Sequence, residues 1–207
     1  MKTRKTLFSL VLAVLLLFSS VSLSACSSNP SLSSVREEYI RLIEASADIN
    51  DVLWGNGLPV YEADSEEARA LALYEEENPP YLLVKEDSPY LSVSAIKAAA
   101  ENVYSLSYLS GIYEQLFDGY TVDGIHYNYA RYIEKDLGLY KSSQTEQIIS
   151  EKRVYDYSTM KIVSPSRKNY VNVSVVSWLP SAPEDTLTVQ LSFLYQNNRW
   201  YLDSPTY

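Results

Sequence analysis

The spacing of apolar residues changes once along this chain, and that change limits the folds open to it. Before position 120 the apolar residues recur at three and four; after 152 they recur at two. The first spacing lays a stripe along a helix and the second puts one face of a strand in the core. Val35, Tyr39, Leu42, Ile49 and Leu53 share one helical face, widened by Ile40, Ile43 and Ala47. Ser34-Val35-Arg36-Glu37 reads as a capping box at its start, and Gly55, Gly57 and Pro59 are stop signals. A helix is predicted over 34–54. Ser92 or Ser94 caps a second long helix with a stripe of Ile96, Ala99, Val103, Leu106, Tyr113 and Phe117, closed by Asp118-Gly119. Gly111 inside it permits a break or close contact. Further on, Val171, Val173 and Val175 alternate with Asn172 and Ser174, and Leu187, Val189, Leu191 and Phe193 with Thr188, Gln190 and Ser192. Strands of this kind form an antiparallel sheet covered on one side. Pro180, Pro183 and Asp185 mark a loop, Asn197-Asn198 a tight hairpin turn, and Arg199–Leu202 the returning strand. The fold class expected is α+β, with long N-terminal helices packed on a curved antiparallel sheet in a single domain over 34–207.

Two stretches carry weaker patterns. Ser65 to Glu77 has helix-forming composition, ended by Pro79-Pro80, and Tyr81–Val84 suits a short strand. Residues 127–141 suit a small hairpin turning near Asp136 and Gly138.

The N-terminus reads as an address. Lys2, Arg4 and Lys5 precede an apolar run from Leu7 to Phe18, short for a membrane span, then small residues ending in Leu23-Ser24-Ala25-Cys26. That tetrad resembles the lipobox of bacterial lipoproteins. The resemblance implies cleavage of residues 1–25, diacylglycerol on the Cys26 thiol, and a lipid-anchored domain on the extracytoplasmic face of the cell membrane. Residues 26–33 then form a short lipidated tether. Two or three acyl chains hold a domain at a bilayer where one would bind only marginally. Cys26 is the only cysteine, so no disulfide can form within the chain and stability rests on a core. Without residues 1–25 the chain has 14 basic and 26 acidic side chains, a formal charge of −12. Such a surface repels phosphate backbones and anionic lipid heads, which argues against a nucleic-acid partner.

Catalytic motifs are scarce. His126 is the single histidine, with no Gly-x-Ser-x-Gly elbow and nothing to place a nucleophile beside it. Zinc and calcium patterns are missing, so no metal or other cofactor is expected. The adjacent carboxylates Glu37-Glu38, Glu66-Glu67 and Glu75-Glu76-Glu77 point to different sides of a helix and read as solvated faces. Asp156 and Asp203 lie among strand residues, where a buried carboxyl with a raised pKa could act as a base. The chain has 19 tyrosines, several crowded at its centre, and tyrosine suits both pockets and interfaces. Arg131 between tyrosines could bind an anion or pair with Glu134.

Trp54-Gly55-Asn56-Gly57-Leu58-Pro59, Ile96 to Ser105, Ala130-Arg131-Tyr132-Ile133-Glu134 and the terminal Trp200 to Tyr207 resemble the NTF2-like (cystatin-like α+β cone) lipoproteins of Gram-positive bacteria. The resemblance implies a cone with a pocket between helix and sheet, for which Trp54, Tyr104, Tyr108, Arg131, Tyr132, Asp156 and Trp178 are the candidate lining. The segment from 60 to 92 departs from the minimal fold and could cover the pocket mouth. The function expected is a non-enzymatic binding or interaction domain for a small molecule or an envelope protein. The alternatives are a small Asp/Tyr-dependent hydrolase or isomerase, and a structural accessory subunit of an envelope complex.

Overall fold

A computed structural model describes residues 29–75, 79–122, 125–127, 130–145 and 147–207, with only the backbone of 120–122 and 125–127. The signal segment, Cys26, Asp123, Gly124 and Tyr129 lie outside the described residues, as does the side chain of His126. The chain is α+β. Helix α1 is Leu32–Trp54, α2 Glu66–Ala70, α3 Val93–Glu101 and α4 Leu106–Tyr113, the last continued by a π-helical turn at Glu114–Asp118. The strands are β1 Tyr81–Leu83, β2 Tyr120–Val122, β3 Ile125–Tyr127, β4 Tyr132–Lys135, β5 Gly138–Ser142, β6 Val154–Arg167, β7 Tyr170–Leu179, β8 Ala182–Gln196 and β9 Arg199–Leu202. They form a four-stranded meander β6-β7-β8-β9, a three-stranded sheet β1-β5-β4 and a two-stranded ribbon β2-β3, all antiparallel. Among the described residues no helix is long and apolar enough to cross a membrane.

The two alternating runs read from the sequence face each other in the meander. Val171 pairs with Phe193, Val173 with Leu191 and Val175 with Val189, so one face of the sheet is an apolar surface. α1 covers it with Tyr39, Leu42, Ile43, Ile49 and Leu53, all buried. Each such side chain removed from water contributes about 1.5–3 kcal/mol. The Tyr39 ring lies flat on Phe193, with centroids 3.8 Å apart, and meets the edge of Trp200 at 5.2 Å. α1 runs antiparallel to β6, because Asn29 Nδ2 donates to the Ser166 carbonyl (3.1 Å) and Arg36 Nη2 to the Tyr157 carbonyl (3.1 Å).

Several expectations change at the element ends. α1 starts at Leu32, not at a Ser34 cap: Ser34 Oγ donates to the Ser31 carbonyl (2.7 Å), and Leu32 packs on the core. Leu32 and Ser33, expected from the sequence to be the last residues of a tether, therefore belong to the helix. The second long helix is two. Between them Ser105 N donates to the Leu202 carbonyl (2.8 Å) and Leu202 N to that of Val103 (2.9 Å), so the sheet takes backbone groups that a continuous helix would use. Ser105 then caps α4 through the Tyr108 amide (3.1 Å). The break is not at Gly111, which has open space around it. Among the described residues of the 65–77 stretch only α2 is helical, capped by Ser65. The 127–141 hairpin begins later than expected, at Tyr132. Pro183 and Asp185 lie within β8, not in a loop; β9 reaches only Phe193 to Gln196, so β8 is an edge at Pro183 and its missing N–H costs no pairing there. Asn197 and Asn198 form the tight turn at φ +50° and +63°.

Among the described residues the Tyr39 hydroxyl has no hydrogen-bond partner, although it is fully buried. Tyr39→Phe removes that cost, so it is expected to leave stability unchanged or raise it by about 1 kcal/mol, while Phe193→Ala lowers it by about 3–5 kcal/mol. Urea titrations of the two variants check the contrast; a clear loss for Tyr39→Phe would show that the hydroxyl is partnered.

Candidate functional site

The C-terminus of a helix leaves carbonyls unpaired, and here β4 and the residue before it satisfy them. Arg131 Nε donates to the Val52 carbonyl (3.1 Å) and Nη2 to that of Gly55 (2.6 Å). The Tyr132 hydroxyl donates to Val52 (2.8 Å) and accepts the Leu58 amide (3.0 Å). The Trp54 carbonyl takes the amides of Ile148 (2.8 Å) and Ile149 (3.1 Å). A buried guanidinium at this end also meets the negative end of the helix dipole. Burial raises the Tyr132 pKa, so the hydroxyl stays protonated as a donor. Arg131 therefore does not pair with Glu134: backbone carbonyls hold it, and Glu134 caps α3 by accepting the Val93 amide (2.6 Å). Gly57 at φ +76° lets the chain pass, since a Cβ there would sit 2.8 Å from the Tyr132 hydroxyl and 3.0 Å from Arg131 Nη2.

One turn earlier, Ser46 and Asn50 interrupt the apolar stripe of α1. The Ser46 hydroxyl lies 2.6 Å from Thr206 Oγ1, and Asn50 Nδ2 donates to the same oxygen (2.8 Å). The Tyr104 hydroxyl donates to Asn50 Oδ1 (2.8 Å), and that of Tyr155 to the Thr206 carbonyl (2.6 Å). Burial pushes the Tyr104 hydroxyl up to about 12 and raises Tyr155 and Tyr108 as well. Ser46, Asn50, Thr206 and Tyr155 of this network line the floor of an open groove of about 720 Å³. One wall is the α1 face of Ile43, Glu44, Ala47, Asp48 and Asp51. The other is the segment from Ile149 to Tyr155 with Tyr157, and Tyr207 also lines the groove. The Tyr155 and Tyr157 rings stand parallel at 6.2 Å. Burial, then Glu44, holds Tyr157 at about 12. Across the groove, Arg153 Nη1 donates to Ser177 Oγ (3.3 Å) and Glu151 holds Ser181.

The residues chosen from the sequence fall into three places. Trp54, Arg131 and Tyr132 tie off the end of α1. Tyr104 and Tyr108, with centroids 4.9 Å apart, lie behind the groove floor. Asp156 and Trp178 sit on the other face of the sheet: Asp156 pairs with Val176 and Trp178 with Val154, out of phase with Val171, Val173 and Val175. Asp156 Oδ1 accepts the Ser158 amide (3.0 Å) and hydroxyl (2.6 Å). Asp203 accepts the hydroxyls of Ser105 and Ser107, placing a carboxylate at the start of α4. Both carboxylates considered as bases thus hold local structure. Among the described residues no three His, Cys, Asp or Glu side chains converge as metal ligands do. Ser46, Asn50 and Thr206 were missed; the signal was two polar residues four apart inside a stripe of core positions. No family model matches the sequence, and no curated protein is significantly similar to it.

Gly57→Ala is expected to cost about 1–3 kcal/mol through a strained φ and a displaced Arg131, and Arg131→Met a similar amount by leaving carbonyls unpaired. Thermal denaturation checks both; an unchanged melting temperature for either contradicts the assignment. Stability should also fall as pH rises through the alkaline range. Unfolded tyrosines lose their protons near 10.0, whereas Tyr104 and Tyr157 keep theirs in the fold to about 12, so rising pH favours the unfolded chain across that window. Urea midpoints along that range check it, and a flat profile refutes it.

Proposed function

We propose that this chain is a lipid-anchored extracytoplasmic binding domain whose ligand occupies the groove beside α1. The groove carries the proposal. Its volume of about 720 Å³ lies within the range of small-molecule sites. Its inner surface combines apolar and aromatic groups, Ile43, Ala47, Ile149, Val154 and Tyr155, with charged groups at the rim. Its floor groups Ser46, Asn50, Thr206 and Tyr155 are bonded to one another, and burial keeps the Tyr155 hydroxyl protonated at neutral pH. A floor of that kind positions a ligand; it supplies neither a base nor an activated nucleophile. The NTF2-like architecture belongs to the same proposal, supported by a long N-terminal helix laid on an antiparallel meander. The anchor is proposed on Leu23-Ser24-Ala25-Cys26 and the cationic, apolar stretch before it.

Two measurements test the two halves separately. Cys26→Ala is expected to move the protein from the membrane fraction to the medium in its native host; retention at the membrane ends the anchoring proposal. Amide chemical shifts of the soluble domain, followed against a panel of short peptides, sugars and aromatic acids, are expected to move at Ile43–Asp51 and Ile149–Tyr157. Binding whose shifts map elsewhere ends the groove proposal.

A further inference from the structure

The charge of this acidic chain is unevenly placed relative to the end from which it is tethered. Asn29, three residues after Cys26, is fixed to Ser166 near the end of β6, and α1 begins just beyond it. Because the strands of the meander alternate in direction, that end of the sheet carries two turns. Arg167 pairs with Tyr170, Gln196 pairs with Arg199, and Tyr195 N donates to the Asn169 carbonyl (2.9 Å), which sets the turns side by side. Arg167 and Lys168 are exposed there, and neither forms an ion pair among the described residues. Arg199 adds a third cation, its guanidinium 4.3 Å over the Tyr201 ring and donating to the Glu101 carbonyl (3.0 Å). The acidic groups on the facing first turns of α1 are Glu37 and Glu38, and Glu38 is paired to Arg41 at 2.7 Å. At the far end the balance reverses. Glu44, Asp48 and Asp51 line the helix side of the groove, and Glu184 and Asp185 lie near the start of β8, against Lys152 and Arg153.

We infer that the anchored domain stands on this basic end, with Arg167 and Lys168 against the anionic headgroups of the bilayer that holds it, and turns the groove outward. The inference rests on the anchoring proposal, and three facts add to it. Three extended residues span at most about 10 Å, so Asn29 and the turn beside it are held close to the headgroups. Opposite charges attract and like charges repel over a Debye length of about 8 Å at physiological salt, so a tethered body with a basic and an acidic end takes up one orientation. Along α1, at 1.5 Å per residue, Ile43 and Asp51 lie about 16 and 28 Å beyond Leu32, outside that field. The occupant of the groove is therefore a solute or polymer of the extracytoplasmic space and not a lipid of the anchoring bilayer.

The test uses full-length protein purified from its host and placed in vesicles containing phosphatidylglycerol. A lipidated Cys26 does not react with maleimide, so Lys168→Cys and Asp48→Cys each accept a single environment-sensitive fluorophore. With a headgroup-linked nitroxide quencher, the label at 168 is expected to be quenched several-fold more than the label at 48. Replacing phosphatidylglycerol by phosphatidylcholine, or adding molar salt, is expected to shrink the difference. Equal quenching at the two positions on lipidated protein, or stronger quenching at 48, overturns the orientation alone. A Cys26 that takes the maleimide, with an unmodified mass at that residue, overturns the anchor and the orientation together. Circular dichroism of both variants excludes unfolding as the source of either result.

Discussion

The contact between α1 and the inward face of the meander governs the rest of this molecule. It is made by rings: Tyr39 flat on Phe193 and edge-on to Trp200, with Leu42, Ile49 and Leu53 filling the surface above Val171 and Val173. With no disulfide possible inside the chain, this apolar seam must offset the entropy of ordering the helix and the sheet. Once α1 lies along β6, other positions follow. Its last carbonyls reach Arg131 and Tyr132, Ser46 and Asn50 meet Thr206 and the Tyr104 hydroxyl, and its outer side becomes one wall of the groove.

Polar side chains, buried at Arg131, half-buried at Asp203 and exposed at Glu134, close this structure. Arg131, Asp203 and Glu134 each satisfy backbone or hydroxyl groups at a helix end. In a low-dielectric interior a group such as the Arg131 guanidinium is costly unless paired, and once paired it fixes a unique arrangement. That explains why residues that look chemically able in the sequence are not free in the structure. An arginine between tyrosines suggests anion recognition, but here the anion-like partner is a set of helix carbonyls. An aspartate after a strand suggests a base, but here it meets two serine hydroxyls at the start of α4.

How much of this was legible in the sequence follows from the range of the interactions. The alternation of Val171 to Val175 and of Leu187 to Phe193 is a local consequence of burying one strand face, and it marked the meander. The stripe of α1 is equally local. The break at 102–105 was not legible, because it is caused by Leu202, about a hundred residues away, pairing with Val103 and Ser105. The same holds for Pro183: it reads as a loop residue until the length of β9 shows that its side of β8 is unpaired. The groove was only half legible. Tyr104 stands out in the sequence for its aromatic ring, yet the partners of its hydroxyl, Asn50 and Thr206, lie 54 and 102 residues away along the chain.

The place of the groove follows from how the sheet protects its edges. An unpaired edge invites association with another chain, so it must be covered, bent or charged. Residues 103–105 cover the outer edge near Leu202. α1 covers β6 from Ser166 back to Tyr157, through Asn29 and Arg36. There the register of β6 with β7 breaks between Asp156 and Lys161, and Thr159 Oγ1 fills the gap by accepting the Val176 amide (2.9 Å) and donating to the Asp156 carbonyl (2.7 Å). A bulge bends its strand and re-aims the residues beyond it. Tyr155, on the far side of this one, pairs with Ser177 and turns its hydroxyl toward Thr206. The strand parts from the helix where the bulge falls, and the opening left between them is the groove.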